Sequence, residues 1–131
     1  MRDWEISKLS LTVDIVEDDD AVRDSLRALL ESYGYTVRDF ASAPEFLKSG
    51  QSNPSDCMIV DQHMPGMTGL ELMEMLRSQG TQTPALMVTG RNDPLLESRL
   101  ARAGIFRLLH KPINDEQLVS CIEEARGHAA H

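Results

Sequence analysis

Five short apolar runs recur along this chain, and each is followed by a stretch whose apolar residues return at helical spacing. The runs are LTVDIV (11–16), YTVRDF (35–40), DCMIV (56–60), ALMVT (85–89) and FRLLH (106–110). Between and after them lie DAVRDSLRALLESYG (20–34), SAPEFLKSG (42–50), GLELMEMLRSQG (69–80), DPLLESRLARAG (93–104) and INDEQLVSCIEEA (113–125). The runs are of strand length, and the stretches between them are mostly long enough for several helical turns. Strands that alternate with helices build a parallel sheet, because each right-handed crossover carries its helix over one face. An α/β fold with five parallel strands and helices on both faces is therefore expected.

Local signals place the elements. Asp20 can cap the first helix and Gly34 can end it, with Val22, Leu26, Leu29, Leu30 and Tyr33 on one stripe. YTVRDF mixes charged and apolar residues in near alternation, as an edge strand should, and Pro44 suits the first turn of a short helix. Leu70, Met73 and Leu76 face inward from the third helix. Asp93, Pro94 and Gly104 cap, start and end the fourth, and Leu118, Ile122 and Ala125 form the stripe of the fifth. Residues 10–125 read as one domain, 1–9 as an N-terminal extension, and 126–131 as a frayed tail or the start of a linker.

In a parallel sheet all strand C-termini lie along one edge, where open α/β sheets bind ligands. Glu17, Asp18 and Asp19 follow the first run, Asp61 the third, Thr89 closes the fourth, and Lys111 follows the fifth. With strand order 2-1-3-4-5 the crevice opens between strands one and three, bringing Glu17, Asp18 and Asp61 together. Clustered carboxylates raise each other's pKa unless a cation compensates them. A hard divalent cation such as Mg²⁺ takes one or two carboxylates, water and a phosphate oxygen. Lys111 and Thr89 add a positive charge and a hydroxyl to the same edge, completing a phosphate cradle. A carboxylate beside a metal and a lysine can attack phosphorus and form an acyl phosphate. This accounts for a core strand that ends on Asp61 and is followed by Pro65, Gly66 and Gly69. The loop lets a backbone carbonyl turn toward the metal.

Other residues have plainer roles. Asp19 and Asp20 serve as helix-capping acids. Met58, Met64, Met67, Met73, Met75 and Met87 are mostly packing residues. Cys57 and Cys121 lie in apolar segments without C-x-x-C spacing and read as buried thiols. Of the four histidines only His128 and His131 have helical ligand spacing, and they fall in the tail. With 21 acids against 13 Lys and Arg, the formal charge of -8 repels nucleic acid and anionic lipid, so any DNA binding belongs to another chain or segment. The opening MRDWEISKLS has no signal-peptide core and no run is long enough to span a membrane, which points to a cytoplasmic protein.

The segments VDIVEDDDAVRDSL, CMIVDQHMPGMTGLEL, PALMVTG and LLHKP resemble, in order and spacing, the signature segments of the receiver domain of bacterial two-component response regulators. The resemblance covers about residues 10–125 and implies a flavodoxin-like (βα)5 fold of strand order 2-1-3-4-5. It implies that Asp61 is the phosphoacceptor, that Asp18 binds Mg²⁺ (or Mn²⁺) directly and Glu17 through water, and that His63 contributes its backbone carbonyl. Thr89 would be the switch hydroxyl, Lys111 would bind a phosphoryl oxygen, and Lys111-Pro112 would be a cis peptide.

The implied partner is a sensor histidine kinase. MPGMTGLEL and VTGRND are similar to receivers of regulators with a LuxR-type helix-turn-helix output, so the implied output is transcription. That output would lie outside the 131 residues, on a further segment or a partner. Core packing explains part of the helix-four face with Leu95, Leu96, Arg99, Leu100 and Arg102; the rest, in a surface across helix four, strand five and helix five, would serve a partner or a phosphorylation-dependent homodimer. Two positions depart from the pattern. Glu17 stands where Asp is commoner, and Leu108, three residues before Lys111, stands where an aromatic switch residue is usual.

Two other classes compete. A Mg²⁺-dependent phosphohydrolase using Asp61, resembling the haloacid dehalogenase group, wants an Asp two residues later, where this chain has His63. A flavodoxin-like FMN binder wants Ser, Thr and Gly in the first loop, which here reads EDDD.

Overall fold

The computed structural model describes residues 11–50 and 53–129. Ten elements alternate strictly: β1 (Thr12–Val16), α1 (Asp20–Ser32), β2 (Thr36–Phe40), α2 (Ala43–Ser49), β3 (Cys57–Asp61), α3 (Gly69–Ser78), β4 (Ala85–Thr89), α4 (Pro94–Arg102), β5 (Arg107–His110) and α5 (Asp115–Ala129). The five strands form one parallel sheet of order β2-β1-β3-β4-β5. The expected architecture is thus present, and β2 occupies an edge as its alternating charges require.

Strand periodicity divides the core into two layers. Val13, Ile15, Ile59, Leu86 and Val88 point to one face and pack under α1 and α5, against Leu26, Leu30, Leu118 and Ile122. Met58, Val60, Ala85 and Met87 point to the other and pack under α2, α3 and α4, against Phe46, Leu70, Met73, Leu76, Leu96 and Leu100. Every residue of β3 and β4 is buried, so the strand carrying Asp61 is fixed from both faces and both neighbours.

The helix starts follow their caps. Ser42 caps α2, with Pro44 in the first turn; Asp93 caps α4, with Pro94 opening it; Thr68 and Glu71 close a reciprocal capping box at α3. The first helix differs from expectation. Its N-cap is Asp19, which accepts from the Val22 amide at 3.1 Å, while Asp20 begins the helix and pairs with Arg23 at 2.6 Å. A cap must reach the amide two or three residues into the helix, and Asp19 has that geometry. Tyr33, expected on the inner stripe, is exposed at the C-cap, where the helix is already turning away.

The fifth helix also departs from its sequence reading. Residues 126–129, read as tail, continue α5 to Ala129, and Arg126 pairs back to Glu123 at 3.3 Å. The extension 1–9, His131 and the side chain of His128 lie outside what is described. Cys57 and Cys121 are free, buried thiols, as expected. No helix among the described residues is long and apolar enough to cross a membrane.

Candidate functional site

The site is assembled where β1, β3, β4 and β5 end. Asp61 is the last residue of β3, one position further into the strand than the sequence suggests, and it pairs with Val88 of β4. The chain then turns sharply. The Gln62 amide donates to Val88 O at 2.8 Å, its carbonyl accepts from Gly69 N at 3.2 Å, and its side-chain Oε1 accepts from Leu70 N at 2.8 Å. Gln62 thereby staples the loop shut and seats the α3 N-terminus beneath Asp61. Gly69 fits because a Cβ there would collide with the Asp61 carbonyl oxygen and the Met87 sulfur. Within the loop Gly66 takes φ +86°, a conformation that side chains disfavour.

Glu17 leaves β1 with its amide donating to Phe40 O at 3.0 Å and its carbonyl accepting from Arg23 Nη1 at 2.9 Å. Its carboxylate is buried and lies 3.0 Å from Lys111 Nζ, which also approaches Asp61 Oδ1 at 3.4 Å. The Lys111 amide donates to Thr89 O at 2.8 Å, and Lys111-Pro112 is cis. One ammonium thus faces two buried carboxylates.

The electrostatic consequences follow from burial. Loss of solvent pushes the Glu17 carboxyl up to about 7; its hydrogen bond with Asp61 acts in the same direction, and Lys111 opposes both. Desolvation pulls the Lys111 ammonium down, but Glu17 and Asp61 outweigh it and hold its pKa above the ordinary lysine value. A glutamate that resists ionisation beside Asp61, with one ammonium shared between the two carboxylates, marks a site short of positive charge.

Glu17, Asp18 and Asp61 form the one group of potential metal ligands among the described residues, with carboxylate oxygens all within 4.8 Å of one another. Asp18 is exposed and the other two are buried. Ligand bonds of about 2.0–2.1 Å make a Mg²⁺ octahedron about 4 Å across, so this span suits direct contact by some of these acids and contact through water by the rest. The donor set is all oxygen, as a hard cation requires. The residues fit the ion.

The remaining predicted residues fall around this cluster. Thr89 ends β4, buried, with its Oγ1 3.2 Å from both the amide and the carbonyl of Arg91. Leu108 lies in β5 opposite Met87 and packs half-buried against the α2–α4 layer. His63 directs its amide toward Asp61 Oδ1 at 3.4 Å, and its imidazole Nε2 is 2.9 Å from Thr89 Oγ1. The sequence reading used only the His63 backbone and had no signal for this side-chain contact, which spans 26 residues. It also missed Gln62 and Arg23, whose partners are backbone groups set by the fold.

Residues 13–123 match the family model of the response regulator receiver domain. The transcriptional regulatory protein FixJ of Azorhizobium caulinodans is 36% identical over 121 residues, covering 92% of this chain and 57% of FixJ. The response regulator protein TodT of Pseudomonas putida is 33% identical over 111 residues, covering 85% of this chain and 49% of TodT. The solved structure of the Vibrio cholerae chemotaxis protein CheY4 superposes with a TM-score of 0.83 at 30% identity, covering 88% of this chain and 98% of CheY4. The chain spans about half the length of the curated relatives it matches.

Proposed function

The chain belongs to the response regulator receiver domain family, and from that premise we propose that Asp61 is the phosphoacceptor of a two-component signalling switch. The observation that carries this reading is the convergence of Glu17, Asp61 and Lys111 within 3.4 Å contacts at one sheet edge, beside the buried Thr89 hydroxyl. One Asp61 oxygen attacks the phosphorus of a phosphohistidine on a sensor kinase. The P–N bond breaks, the histidine departs with the electron pair, and an acyl phosphate remains.

Lys111 binds a phosphoryl oxygen, and its ammonium, already placed 3.4 Å from Asp61, offsets charge that develops during transfer. Thr89 supplies a hydroxyl to another phosphoryl oxygen. Asp18, Asp61 and the His63 backbone carbonyl would hold Mg²⁺ (or Mn²⁺), with Glu17 reaching it through water. When bound, the ion neutralises the acid cluster and the phosphoryl oxygens.

Thr89 and the half-buried Leu108 opposite Met87 link the site to the surface formed by α4, β5 and α5. That surface contacts an output, in transcription by analogy with FixJ, or a second copy of the chain. The protein modifies itself and turns over no external substrate. The phosphohydrolase alternative is weaker, because the position two residues after Asp61 holds an imidazole engaged with Thr89. The test is intact mass after incubation with Mg²⁺ and acetyl phosphate. One phosphoryl adduct on the wild type, absent from Asp61→Asn and absent in EDTA, supports the reading. Steady release of phosphate from p-nitrophenyl phosphate would favour the hydrolase instead.

A further inference from the structure

The His63 imidazole is the polar side chain at the site that phosphoryl chemistry leaves without a task. Its residue is exposed, and its Nε2 lies 2.9 Å from the hydroxyl of buried Thr89. That hydroxyl has two further neighbours, the Arg91 amide and carbonyl, each at 3.2 Å. A threonine hydroxyl has one proton and two lone pairs. The amide takes a lone pair, and the single proton is held by the carbonyl or the imidazole, so in this position the hydroxyl has none to offer a phosphoryl oxygen on Asp61.

We infer that His63 is a positioning residue, a latch whose hydrogen bond holds the Thr89 hydroxyl in its resting place and has to be exchanged when Thr89 turns to an Asp61 phosphoryl group. The inference rests on the reading of Asp61 as phosphoacceptor. The contact belongs to this chain's own pairing of a histidine two residues beyond Asp61 with a threonine at the end of β4. His63 is exposed while Thr89 is buried, so the latch sits on the solvent side of the hydroxyl it holds.

Loss of one intramolecular hydrogen bond shifts the resting-to-active equilibrium roughly two- to tenfold. The probe is beryllium fluoride with Mg²⁺, a tetrahedral mimic of the acyl phosphate, titrated against wild type, His63→Ala and His63→Gln. His63→Ala should bind two- to tenfold more tightly, and His63→Gln, whose amide reaches the Nε2 position, should return toward wild type. Independently, the ¹⁵N signals of the His63 ring should move when the mimic binds, and should move in the resting protein on Thr89→Val. Wild-type affinity in His63→Ala, or ring signals unchanged on saturation with the mimic, overturns the latch while leaving the phosphoacceptor reading intact. Failure of the wild type to bind the mimic and to take up phosphate from acetyl phosphate removes that reading, and the latch with it.

Discussion

Glu17 shows how a single residue conveys the logic of the site. With its carboxyl raised from the ordinary 4.5 to about 7, the folded protein without metal keeps a proton there that the unfolded chain has already lost. Between these values the native state binds more protons than the unfolded state, so stability falls as pH rises from about 4.5 to 7 and levels off above. Denaturant titrations across this window should show the decline in EDTA, and Glu17→Gln should flatten it. Added Mg²⁺ should restore stability at pH 7–8, since a ligand that binds only the native state stabilises it. Cys57 behaves in the same sense at alkaline pH. Burial pushes its thiol up to about 12, so it should resist thiol reagents in native protein at pH 8 and react after unfolding. The residues that converge at the sheet edge were legible in the sequence because each stands at or just past a strand end, where a polar residue breaks an apolar run. The His63 side chain was not, because an exposed loop histidine has no pattern to betray its partner.

At the scale of elements, two contacts hold the sheet edge in register. Asp14, buried in β1, takes a two-pronged ion pair from Arg38 of β2 at 2.7 and 2.9 Å, and the two residues are direct partners across the ladder. Arg38→Ala would leave the buried Asp14 carboxylate unpaired, at a cost of roughly 3 kcal/mol, measurable as a lower urea midpoint. Asp14→Ala should cost less, because the Arg38 guanidinium is partly exposed and keeps the Asn53 carbonyl. Gly69→Ala should destabilise by about 1–3 kcal/mol, because its methyl group would press on the Asp61 carbonyl and the Met87 sulfur. That change should also slow phosphorylation by displacing Asp61. Strand and helix identities followed from period and caps. Boundaries did not: the first N-cap moved from Asp20 to Asp19, and α5 runs past its apolar stripe and through Gly127, a residue that more often ends a helix, to Ala129.

For the whole molecule, two core layers pack on the faces of one sheet whose C-terminal edge carries the charge pattern, so chemistry and scaffold are separable. The formal charge of -8 makes DNA binding by this chain unfavourable, and it should not retard duplex DNA at low salt, with or without acetyl phosphate. The parallel sheet was legible in the five alternations with their right-handed crossovers, and its strand order in the resemblance to receiver domains. The identity of the surface partner was not, since Leu95, the large apolar residue most exposed among those described, is compatible with several partners. The central claim is that the phosphoryl group resides on Asp61, and borohydride trapping tests it most directly. Reduction of an acyl phosphate converts aspartate to homoserine, which peptide mass mapping locates after treatment with Mg²⁺ and acetyl phosphate. Homoserine at position 61 alone is the predicted result. Phosphorylated protein whose trapped residue is Glu17, Asp18 or any other acid, or whose phosphate resists borohydride altogether, would contradict it.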